Sequence, residues 1–90
     1  MKIYKVTRTD TISYDEFDSF ICVAPNMDTA KNLIPTLALD GYEAHTWEED
    51  NCYAFSSWTR DKNAIHAELL GIADATFDKT KILLASFNAG

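Results

Sequence analysis

Glycine is scarce in this 90-residue chain, with three residues at positions 41, 71 and 90. No phosphate-cradling loop of the P-loop or dinucleotide type can be built from them, so nucleotide chemistry by those routes is excluded. Cysteine is just as sparse: Cys22 and Cys52 are too few to staple a secreted mini-domain, and a reduced state is expected. Basic side chains number 8 against 14 acidic ones, a formal charge of −6. That balance opposes a phosphate-binding surface, because electrostatic attraction supplies most non-specific nucleic-acid affinity, and nucleic acid is not an expected partner. No apolar run approaches the ~20 residues of a membrane helix, and Met1–Arg8 lacks the apolar stretch of a signal peptide. The expectation is a cytoplasmic protein with no membrane partner.

What is present is ordinary globular material, 47% apolar and 24% charged, enough for one domain over residues 1–90. Residues 2–8 alternate, Tyr4 and Val6 against Lys5 and Thr7, which predicts a half-covered strand. The polar, turn-rich stretch 9–15 leads into a second strand from about Phe17 to Ala24. Phe20, Cys22 and Ala24 point one way in it, Ile21 and Val23 the other, so both faces are apolar and a central position is expected. Cys22 reads there as a small buried hydrophobe. Pro25 ends the strand, and Asn26 is a good N-cap for a short helix over about 26–34, with Met27, Ala30, Leu33 and Ile34 on one stripe. Pro35 stops it.

From Thr36 the periodicity dissolves. Asp40-Gly41 reads as a turn, and a hairpin over 42–58 turning at Glu49-Asp50-Asn51 is expected, because a structureless loop of that length is unusual in a compact domain. Ile65–Ala73 reads as an edge strand and Lys81–Phe87 as a central one. The fold class is therefore α+β: an antiparallel sheet of four to six strands with one short helix packed on one face, in the order β-β-α-(β-β)-β-β. The last strand, apolar on both faces, needs two covers where one short helix supplies one. A homodimer is accordingly expected to be one way of covering it.

Catalytic constellations are missing. His45, Cys52 and His66 match no zinc spacing, so no metal and no cofactor is expected. His66 and Glu68 fall on one face of a strand, an arrangement more common on a solvated edge than in a catalytic dyad. Ser56 and Ser57 have no nucleophile-elbow context. The chain is not expected to be an enzyme.

Two segments stand apart. Tyr14, Asp15, Glu16 and Asp18 surround Phe17, and Trp47, Glu48, Glu49, Asp50 and Tyr53 follow one another closely. Carboxylates interleaved with aromatics suit binding to a basic protein surface, since rings give anchor area and charges steer encounter. These nine are the candidate partner-binding residues. The bland reading of the second segment is a soluble hairpin tip whose Trp47 and Tyr53 cap the core.

The opening Met1-Lys2-Ile3-Tyr4-Lys5-Val6-Thr7-Arg8-Thr9-Asp10 with Tyr14-Asp15-Glu16-Phe17-Asp18-Ser19-Phe20 resembles the corresponding part of small accessory proteins encoded by tailed bacteriophages and prophages. So does the other flank, Leu69-Leu70-Gly71-Ile72-Ala73 and Ile82-Leu83-Leu84-Ala85-Ser86-Phe87-Asn88-Ala89-Gly90. The resemblance covers both flanks and fails across 36–57. It implies a viral protein acting in the host bacterial cytoplasm, and small phage proteins often bind and inhibit a host protein, defence nucleases included. The expected function is thus non-enzymatic binding and modulation of a host or phage protein through the acidic-aromatic surface. The alternative is an oligomeric module that binds or sequesters a small ligand such as a nucleotide, with Trp47, Tyr53 or Trp58 stacking a base.

Overall fold

A computed structural model describes residues 1–12, 15–39, 41–48 and 58–88. Strand β1 (Lys2–Arg8) pairs antiparallel with β2 (Glu16–Ala24), and both are central in a four-stranded antiparallel sheet. The edges are β5 (Ile65–Ile72), beside β1, and β6 (Lys81–Asn88), beside β2, giving the order β5-β1-β2-β6. Between β2 and β5 the chain forms helix α1 (Met27–Lys31) and a separate hairpin of β3 (Leu33–Ala38) with β4 (Gly41–Thr46). A 3-10 turn over Lys62–Ala64 leads into β5. This is the α+β architecture expected from the pattern.

Alternation on β1 and β2 decides which face is covered. Register places Tyr4 opposite Cys22 and Val6 opposite Phe20, and β6 continues these rows with Ile82 and Ala85. Tyr4, Val6, Phe20, Cys22 and Ile82 are all buried, in one cluster with Ala30 of α1 and Leu33 and Ile34 of β3. Tyr42, Ala44 and Trp47 pack against it from β4 and the residue after it. The core thus lies between one face of the sheet and a layer made of α1 and the hairpin. The opposite face carries the rows Leu84, Ile21, Lys5, Glu68 and Ser86, Ser19, Thr7, His66.

The helix is shorter than its apolar stripe suggests. Asn26 caps it, its side-chain oxygen accepting from the Thr29 amide at 2.8 Å, but the helix ends at Lys31 and Leu33 and Ile34 begin a strand. Pro35 disfavours α conformation at Ile34 and clashes with a helical turn, so the extended form wins from Leu33 onward. Leu33 and Ile34 still reach the core, from β3 and not from a helix. The described hairpin pairs 33–38 with 41–46, ahead of the one expected over 42–58, and Gly41, at φ +130°, supplies the positive-φ residue that its turn requires. The turn expected at 49–51, and Cys52 with it, lie outside the described residues.

The last strand differs in position. β6 is an edge, with Leu83 and Leu84 at 36% and 59% exposure, where its apolar run predicts a centre. The hairpin stands alongside it, and the Tyr42 hydroxyl donates to the Ala85 carbonyl at 3.2 Å. Position on the covered face therefore separates Ile82 from its neighbours. Ile82→Ala should cost about 2–5 kcal/mol of stability and Leu84→Ala within ~0.5 kcal/mol in urea unfolding. Equal losses at the two positions would contradict this assignment of faces.

Candidate functional site

One side chain that the alternation pattern hides organises the first acidic segment. Arg8 ends β1 pointing into the covered side of the sheet, with 3% of its side chain exposed. A buried guanidinium must have its donors satisfied. Its Nε donates to Asp10 Oδ1 at 2.6 Å and Nη2 to Oδ2 at 2.9 Å, a two-pronged clamp, while Nη2 also reaches the Thr11 carbonyl at 3.3 Å and Nη1 the Phe17 carbonyl at 3.4 Å. Glu16 adds a carboxylate 3.6 Å from Nη1, and the guanidinium carbon sits 5.7 Å from the centre of the Trp58 ring. The hydrogen bond from Arg8 holds the Asp10 carboxyl well down, at about 2.

That clamp sorts the carboxylates. Asp10 and Glu16 serve the interior, and Asp15 and Asp18 face outward or lie half-buried at the sheet surface. Asp15 is held at φ 62°, a backbone conformation that Asp tolerates better than most residues, and its amide donates to the Asn88 carbonyl at 2.7 Å. Asp18 sits where the β2–β6 register shifts, and it accepts from the hydroxyls of Ser19 at 2.9 Å and Ser86 at 3.1 Å. Tyr14 lies outside the described residues.

Phe17, between these acids, is fully buried against Phe87, ring centres 4.8 Å apart, and meets Tyr42 edge-on at 6.1 Å. It is a core residue and not a surface anchor. Through Tyr42 it fixes the tip of the β3–β4 hairpin at the same end of the domain as Asp15 and Asp18. That tip is apolar: Leu37, opposite Tyr42, is half exposed, and Leu39 is completely exposed at 104%. The only hint in the sequence is Leu37-Ala38-Leu39 placed directly before the Asp40-Gly41 turn, where polar residues are usual.

The second acidic segment stands elsewhere. Trp47 follows the far end of β4, about 16 Å along the strand from Tyr42, so the two candidate groups are not brought together. Trp47 packs half-buried on the core with the Lys62 ammonium 5.0 Å from its ring centre. Glu48 accepts from the Asn32 side-chain amide at 2.6 Å, which lowers its pKa. Beside them an open cleft is lined by Asp28, Lys31, Asn32, Lys62, Asn63 and Ile65. Glu49, Asp50 and Tyr53 lie outside the described residues.

Among the described residues no group of three His, Cys, Asp or Glu side chains is placed to hold a metal ion, and no helix is long and apolar enough to cross a membrane. Cys22 is fully buried, and burial pushes its thiol up to about 11, away from the thiolate that nucleophilic work requires. His66 and Glu68 are both exposed on β5.

The Arg8–Asp10 clamp has a signature in acid. Because folding lowers the Asp10 pKa from 3.8 to about 2, its contribution is complete above pH ~4 and is lost as pH falls through the folded value. Urea midpoints should therefore drop between pH 4 and 2, and Asp10→Asn should flatten that part of the profile while lowering stability at pH 7. An unchanged profile in the variant would remove Asp10 from this role. No family model, no curated protein and no solved structure matches this chain.

Proposed function

We propose that this chain is a non-enzymatic interaction protein of phage type that binds and modulates a host bacterial protein, such as a defence factor, in the host cytoplasm. The observation that carries the reading is the pairing of a fully exposed leucine knob, Leu39 with Leu37 behind it, with the outward carboxylates Asp15 and Asp18 at the same end of the domain. Apolar side chains that bury on contact supply affinity, and carboxylates around them select a basic rim and speed encounter. The net charge of −6 extends that field beyond the contact itself. Trp47 and Glu48 form a separate acidic-aromatic spot at the other end of β4, and the surface first drawn from both segments divides into these two.

The reading is tested by affinity capture from bacterial lysate with the wild-type chain, Leu39→Asp, and Asp15→Asn, the last chosen because Asn keeps the positive φ. Leu39→Asp should abolish the captured partner and Asp15→Asn should weaken capture severalfold, both with unchanged melting temperature, whereas Glu48→Gln should retain it. Undiminished capture by Leu39→Asp would remove the hairpin tip from the interface.

The cleft beside Trp47 favours a second reading, a module for a small anionic ligand held by Lys31, Lys62 and the side-chain amide of Asn63. Lys62 already covers one face of the Trp47 ring, so a stacking base must displace it or use the other face. A nucleotide at a hundred times its dissociation constant would add about 2.7 kcal/mol to stability, which a thermal-shift series detects.

A further inference from the structure

The two edges of the four-stranded sheet are treated differently. On β6 the Tyr42 hydroxyl occupies the Ala85 carbonyl and the hairpin stands alongside. On β5 the flanking backbone bonds, Thr9 amide to Ala64 carbonyl and Ala73 amide to Met1 carbonyl, both run toward β1. Among the described residues nothing pairs with the outer edge of Ile65–Ile72. That strand is eight residues long, without proline or lysine, and three of its large apolar side chains are open to solvent: Leu69 at 50%, Leu70 at 48% and Ile72 at 73%. Natural edge strands are ordinarily blunted by such residues or covered, and an uncovered apolar edge is a template for another strand.

We propose that β5 pairs antiparallel with β5 of a second copy of this chain, about a two-fold axis through Ala67, to make a continuous eight-stranded sheet. Charge complementarity selects this occupant and this register. Pairing with β1 sets His66 and Glu68 on the open face, opposite Thr7 and Lys5, and Ala67 on the covered face opposite Val6. A two-fold at Ala67 places His66 against the second copy's Glu68 twice, so the strand supplies its own complement; an imidazole N–H donates to the carboxylate in each pair. Ile65 then meets Leu69 on the covered face. Leu70 and Ile72 fall beyond this paired segment, beside the second copy's 62–64 turn. A two-fold at Leu69 instead sets Glu68 against Leu70, leaving the carboxylate on an apolar partner, and it is centred on the register shift near Leu70.

Residues 62–72 from each copy make a small contact. Stable interfaces use about 20–30 residues a side for ~800 Å², so this one buries on the order of 350 Å² per copy and belongs to the weak, reversible class. The dimer does not depend on the partner reading, because the hairpin tip and Asp15 are not on β5.

Sedimentation over a concentration series reads the association, and cross-linking reads the register. In a Cys52→Ser background, Ala67→Cys should oxidise to a disulfide-linked dimer, because directly opposed residues of an antiparallel pair stand about 4.5 or 5.5 Å apart at Cα, both within disulfide range. Leu83→Cys, on the other edge, should not. His66→Glu should weaken association roughly tenfold by setting carboxylate against carboxylate, and the swapped double variant His66→Glu, Glu68→His should restore it. A chain that stays monomeric to millimolar concentration, equal cross-linking at 83, or a swap that fails to restore association would each overturn the proposal.

Discussion

A guanidinium taken out of water is the constraint around which this domain is arranged. Arg8 alternates onto the covered face of β1, and from there its donors reach only what the neighbouring chain supplies. Leaving such a charge unpaired costs several kcal/mol, a large share of the stability of a small domain. The chain meets the demand with the two-pronged Asp10 clamp and the Thr11 carbonyl from the connection that joins β1 to β2, and with Glu16 and the Phe17 carbonyl from the start of β2. The same cation stacks over Trp58, which enters the core from the far side of the sequence against Phe20, ring centres 5.3 Å apart. One side chain thus fastens a polar connection and a remote tryptophan to the same corner.

The surface chemistry follows from that fastening. An acidic run read as a single feature becomes two populations, carboxylates consumed by Arg8 and carboxylates left at the surface. Asp15 holds a positive φ of 62°, and Asp18 sits at an irregularity in the β2–β6 ladder, held by two serine hydroxyls. The hairpin reaches the same end through Tyr42, which touches Phe17 with its ring and Ala85 with its hydroxyl. Tyr42 thereby ties the hairpin to the Phe17–Phe87 pair, in the strands that carry Asp18 and meet Asp15.

Strands β1, β2, β5 and β6 were legible in the sequence because each carries alternation or a β-branched and aromatic run bounded by turn residues. Position within the sheet was legible for β2 and β5 but not for β6: an apolar run on both faces signals two covers, and the hairpin beside Ala85 is a cover that periodicity cannot reveal. The helix was misjudged at its end, since Leu33 and Ile34 continue a helical stripe while Pro35 already dictates extended chain. The Asn26 cap and the turn position of Gly41 were legible because capping and positive φ are local demands. Arg8 escaped notice altogether, as an arginine at a strand end ordinarily points to solvent, and burial is a property of what packs there. Leu39 escaped because one exposed leucine is unexceptional until the surrounding tip is seen to be uncovered.

The strand order has a kinetic meaning. β1 and β2 are joined by a short connection and can meet within microseconds, yet β1 finds its other neighbour only after residue 65 and β2 only after residue 81. Closing such long segments carries an entropic barrier before any ladder rewards it, which places maturation of this small sheet on the millisecond-to-second scale typical of non-local topologies. Until the C-terminal strands arrive, the nascent β1–β2 ribbon shows bare backbone on both sides, and it is in that interval that the chain is most exposed to mispairing.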